Sequence, residues 1–147
     1  MRRLGAAGVA LLLASCDTAG PNDIAGAIEF TPPASYAAMW EVAEECSGRA
    51  GEFHRLRWWV IPGVKVFEYE ADEPRADGLY HSDGSITLAG AVLSHPMVVR
   101  HEMLHALGFG RDHPAVPFRD PCHATWRSWD PSEPPLELPP ELEAYLH

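Results

Sequence analysis

Basic charge is scarce in this chain. Lys and Arg together number 11 against 21 Asp and Glu, a formal net charge of −10. That balance excludes nucleic acid as a partner, which needs a basic footprint to displace counterions. It equally excludes a basic surface that clings to anionic lipid. An acidic excess supplies a solvated surface instead. Cysteine is sparse too, with three in all, an odd number that leaves one thiol over once two have paired. No internal repeat is present. The apolar run at residues 6–14 is too short to span a bilayer as a stable helix. What is there is globular: 147 residues, 46% hydrophobic, five of them Trp, which suits one domain. The chain also holds 14 Pro, many in its last third, and these predict long irregular connections there.

Met1-Arg2-Arg3 places positive charge ahead of the apolar run, which closes in Leu13-Ala14-Ser15-Cys16. Charge, apolar core and small residues in that order describe an export leader, and its end resembles the lipobox of bacterial lipoproteins. The resemblance implies removal of residues 1–15, lipidation of Cys16 and a mature protein held by that lipid in the cell envelope, facing the periplasm or the surface. Residues 16–30, rich in Gly, Ala, Asn and Pro, read as a tether. Residues 31–147 then form the folded domain. With Cys16 assigned to lipid, Cys46 and Cys122 remain, and in an oxidising compartment they are expected to pair. A bridge closing so long a loop contributes about 3–4 kcal/mol.

The pattern of the domain is α+β. Tyr36, Met39, Trp40, Ala43 and Cys46 recur at helical spacing with Glu41, Glu44 and Glu45 opposite, which predicts an amphipathic helix over 34–46 packed on a sheet. Residues 53–61 and 64–70 read as two strands of a hairpin joined near Pro62-Gly63. Residues 78–81 and 85–89 read as short strands about a Ser82-Asp83-Gly84 turn. Ser94-His95-Pro96 then opens a second helix, with Ser94 available as its cap and Pro96 tolerated in its first turn. After Pro114 no long periodic element follows, beyond a helical turn or two in 141–146.

That second helix holds the chemistry. It carries His101-Glu102-Met103-Leu104-His105, with Gly108 three residues on. Residues four apart lie one turn above each other on one helix face, so both imidazoles can point at a single metal ion. Glu102, beside the first of them, can reach a water on that metal. Open catalytic zinc sites keep three protein ligands and a water, so a third ligand is required. His113 is the choice, where the chain returns after the Gly108 turn, with Asp112 next and His123 after that. Asp120, Asp130 or backbone carbonyls are candidates to orient the imidazoles. Tyr80, His81 or His123 are candidates to stabilise an oxyanion.

The motif resembles the zincin metallopeptidases, and more narrowly the metzincins. The resemblance implies one Zn²⁺ on His101 and His105, which the His113 chosen above completes, with Glu102 as general base and hydrolysis of a peptide or protein substrate. The enzyme is expected to be a monomer. It also implies a zincin-like domain, a twisted mixed sheet against an N-terminal helix and the active-site helix. A strand ahead of that helix, 85–89 or 78–82, would align the substrate by strand addition. Two features depart from the family pattern. Position 111, where a third His belongs, is Arg111, and no Met follows Met103 to form the turn that metzincins place beneath the metal. The alternative is a non-catalytic envelope lipoprotein that binds metal or a partner through such a scaffold. The presence of Glu102 favours the enzyme, because a structural site needs no base.

Overall fold

A computed structural model describes residues 24–69 and 75–147. The leader and Cys16 lie outside the described residues. The elements run β1 (Ile28–Phe30), α1 (Ala34–Ser47), β2 (Arg57–Ile61), β3 (Gly78–His81), β4 (Ser85–Ala89), α2 (Pro96–Ala106), α3 (Ala115–Phe118) and α4 (Pro140–Glu143). The architecture is mixed α+β, with one four-stranded sheet in the order β1-β2-β4-β3. Strand β1 falls within the stretch read as tether, so the chain is already paired to β2 from Ile28 onward.

Helix α1 forms as its pattern predicts. Tyr36, Met39, Trp40 and Ala43 are buried on one face. Gly48, at φ +68°, takes the left-handed conformation that closes the helix, its N–H bonded to the Glu44 carbonyl. Aromatic packing joins this face to the sheet, with the Tyr36 and Trp58 rings 4.9 Å apart. The Tyr36 hydroxyl donates to the Leu93 carbonyl at 2.7 Å, and full burial drives its pKa upward. The same core takes in Ile86, Leu88, Val99, Met103 and Leu104, so α1 and α2 lie together on the sheet.

The expected hairpin of 53–61 with 64–70 does not form. Strand β2 pairs antiparallel with β1 on one side and parallel with β4 on the other, from Arg57 opposite Ser85 to Ile61 opposite Ala89. All five residues of β4 are buried. A strand buried on both faces belongs in the middle of a sheet, and it takes the place beside β2 that a local hairpin partner would have filled. Residues 64–69 instead run as loop, with Phe67 tucked into a small cluster beside Ile61 and Ala89 and bridged once to Ala76. Residues 78–81 and 85–89 are strands as expected, joined by the 82–84 turn and paired antiparallel.

This arrangement makes β3 an edge strand and places it beside α2. Of the two strands expected to meet substrate, β4 is interior and only β3 has a free edge. Ser94 does not cap α2. Its cap position is His95, without a side-chain hydrogen bond, and the Ser94 carbonyl accepts the Leu136 N–H instead. Pro96 occupies the first turn as anticipated. Cys46, at the end of α1, is bonded to Cys122, which ties the chain after the metal helix to the N-terminal part of the domain.

Candidate metal centre

Helix α2 presents His101 and His105 on one face, and the loop after it returns His113. Gly108, at φ +89°, turns the chain back at the helix end, and His113 itself sits at φ +46°. The His105 Nε2 lies 3.2 Å from His101 Nε2 and 3.1 Å from His113 Nε2. Among the described residues these three histidines form the cluster able to hold a metal ion. Asp112 and His123 are outside it.

The hydrogen bonds decide which nitrogen of each helix histidine is free. His101 Nδ1 lies 2.7 Å from the Ala124 carbonyl and His105 Nδ1 lies 2.9 Å from the Phe109 carbonyl. A carbonyl only accepts, so each Nδ1 carries the proton and each Nε2 keeps its lone pair. The two lone pairs therefore face one another at hydrogen-bond distance with no proton of their own between them. A cation relieves that repulsion. Ligand nitrogens 2.0–2.1 Å from a tetrahedral zinc stand roughly 3.3 Å apart, close to the spacings found here. Of the candidates for orienting the imidazoles, the backbone carbonyls are the ones used, and Asp120 and Asp130 are not.

Burial lowers the His101 pKa to about 4, with the His105 and His113 imidazoles further disfavouring its charge. Burial also lowers His105. Both are thus held in the neutral form that ligates metal.

Phe118 supplies the floor. Its ring, 0% exposed, lies 4.9, 5.0 and 5.1 Å from the rings of His101, His105 and His113 respectively. An apolar ring therefore lies against all three imidazoles. Nothing in the local sequence marks it, since it stands in a Pro-interrupted stretch without periodicity.

Glu102 shares a cleft of about 780 Å³ with the three histidines. It is 4% exposed, between α2 and β3. Burial raises its pKa to about 8, the charge of Asp77 adds to the rise, and the Tyr80 backbone N–H donated to the carboxylate opposes it. Gly78 makes this position possible, because a Cβ there would stand 2.8 Å from both Cγ and Oε1 of Glu102. Tyr80 and His81 line the cleft. His81 is buried, its Nε2 2.9 Å from Thr87 Oγ1, and desolvation lowers its pKa. His123 is exposed, is not among the residues lining the cleft, and offers its carbonyl to Arg100. The cleft is walled on one side by Met97, Val98 and the exposed Trp126.

No family model, no curated protein and no solved structure matches this chain.

Proposed function

We propose that this protein is a zinc-dependent peptidase of zincin type, exported and anchored in the cell envelope through lipid on Cys16. The observation that carries the reading is the set of three imidazoles, two with Nε2 lone pairs fixed by carbonyls, in one cleft with a buried carboxylate. Neutral nitrogen donors suit Zn²⁺. Three protein ligands leave a coordination position open, whereas a structural zinc site closes itself with a fourth. When bound, zinc would supply Lewis acidity, bringing a water toward a pKa of roughly 7 and polarising the scissile carbonyl.

The protein's own groups do the rest. Edge strand β3 lines the cleft beside Glu102, where an extended peptide can add as a further strand. The Ala124 and Phe109 carbonyls hold His101 and His105 in the ligating tautomer. Glu102 takes a proton from the attacking water as its oxygen bonds to the carbonyl carbon. It then passes that proton to the leaving amine as the C–N bond breaks. Burial holds the proton on Glu102 in the metal-free protein, and a bound dication would favour the carboxylate that the first step needs.

Purified protein should contain about one zinc per chain. Glu102→Gln should retain that zinc and lose hydrolysis of a peptide library. Protein without zinc after zinc is added back overturns the metal, and a Glu102→Gln variant as active as the parent overturns the mechanism. The positive start, apolar core and small residues before Cys16 support the anchor. Mass spectrometry of the mature membrane form should find an acylated Cys16 at its N-terminus, and another first residue removes the anchor.

A further inference from the structure

Arg100 is a charge in an unusual place. It directly precedes His101 and is 4% exposed. Its Nη1 and Nη2 donate to the two carboxylate oxygens of Glu133 at 2.7 and 3.0 Å. Nη1 also meets Met39 Sδ at 3.4 Å, and Nη2 donates to the His123 carbonyl at 3.2 Å, while Nε is buried without a partner. Burying such a pair gains little net stability over apolar side chains of the same volume. Its usefulness therefore lies in what it holds.

It holds the strand of chain that builds the metal centre. Cys122 is bonded to Cys46. His123, at φ +49°, sits in the left-handed region, which a non-Gly residue keeps only when its surroundings over-determine it. The Arg100 bond to its carbonyl is one such constraint and the disulfide is the other. The next residue, Ala124, accepts from His101 Nδ1 at 2.7 Å, and its N–H donates to the Phe118 carbonyl, also at 2.7 Å. A single residue, Ala124, thus joins the first ligand to the floor residue, and Arg100 bonds the carbonyl of the peptide unit that carries the Ala124 N–H.

We propose that Arg100, anchored by Glu133, is a positioning residue for the metal centre: through the His123 carbonyl it sets the Ala124 carbonyl that orients His101. This rests on the metal reading above. The test compares the parent with the double variant Arg100→Met/Glu133→Leu, which replaces the pair by apolar side chains, and with Glu133→Gln. Zinc dissociation constants are measured by chelator competition well below the unfolding temperature, together with the visible spectrum of the Co²⁺ form. Loss of a partner that orients a ligand costs 10–100-fold in metal affinity. The double variant should keep its disulfide and cooperative unfolding, bind zinc 10–100-fold more weakly and show an altered Co²⁺ spectrum. Glu133→Gln, which leaves Arg100 with a neutral acceptor, should weaken zinc several-fold and gives the answer if the double variant does not fold. A merely structural pair would lower the unfolding temperature and leave both metal readouts unchanged. Either variant, folded, with the parent's zinc constant and Co²⁺ spectrum overturns the proposal. A parent that binds no zinc overturns the metal reading instead.

Discussion

Glu102 makes the metal-free protein sensitive to pH in a direction opposite to four of its histidines. Its carboxyl, ordinarily at 4.5, is raised to about 8 by burial. A raised group contributes stability below its unfolded value and loses it as pH climbs to the folded one. His81, His95, His101 and His105 are all lowered by burial, so their contribution is present above 6.5 and lost as pH falls. Between 4.5 and 6.5 the histidines oppose Glu102 and outnumber it. Above 6.5 the unfolded histidines still shed their remaining protons over about one pH unit and offset Glu102, so its effect is isolated by comparing the parent with Glu102→Gln, where the histidine contributions are common to both. Each pH unit is worth about 1.4 kcal/mol for one proton, so the parent should lose about 2 kcal/mol relative to that variant between pH 6.5 and 8. For a domain of this size that corresponds to a relative fall of roughly 8 °C in Tm. Thermal unfolding of both chelator-treated proteins, followed by circular dichroism at pH 5, 6.5 and 8, measures it. The Gln variant is the reference because its amide keeps an acceptor for the Tyr80 N–H and does not ionise. Saturating zinc should abolish the relative fall, because a nearby dication favours the carboxylate. A parent and a Gln variant whose Tm values keep the same difference from pH 6.5 to 8 refute the assignment of a buried, proton-holding Glu102.

Two further substitutions probe the walls of the centre. Gly78→Ala places a Cβ where Glu102 now packs and should displace that carboxylate. Peptide hydrolysis should fall by at least tenfold at unchanged zinc content, and a fully active variant shows that Glu102 does not work from this position. Phe118→Ala removes the floor shared by three imidazoles and should cost about 3–5 kcal/mol in unfolding free energy along with zinc affinity. Phe118→Met, closer in volume, should recover most of both, and chemical denaturation with zinc titration distinguishes the outcomes.

The parts of the centre that were legible in the chain are those whose identity resides in side chains. His101 and His105 announce themselves because helical spacing turns a gap of four into a shared face. His113 could be chosen on chemistry despite standing two residues beyond the family offset. Left-handed backbone at Gly108 and at His113 itself brings it back to the two helix histidines. The Cys46–Cys122 bridge followed from arithmetic once Cys16 was set aside. The pairing of β2 was illegible for a different reason. The run 64–70 looks like a local partner, and only the burial of all five β4 residues reveals which neighbour releases more water. Ser94 had the right chemistry for a cap, but the chain bends one residue later.

The groups that orient the ligands carry no signature at all. The Ala124 and Phe109 carbonyls select the tautomers of His101 and His105, yet every residue owns a carbonyl, so neither position is marked by its side chain. What places Ala124 is indirect: a disulfide at Cys122, an arginine bond at His123 and a turn whose N–H reaches back to Phe118. Each of those constraints comes from a different part of the fold. A centre of this kind is therefore half written in residue types and half in backbone geometry. Substitutions such as those at Arg100 and Glu133, which touch no ligand and leave the motif intact, are where the second half becomes measurable.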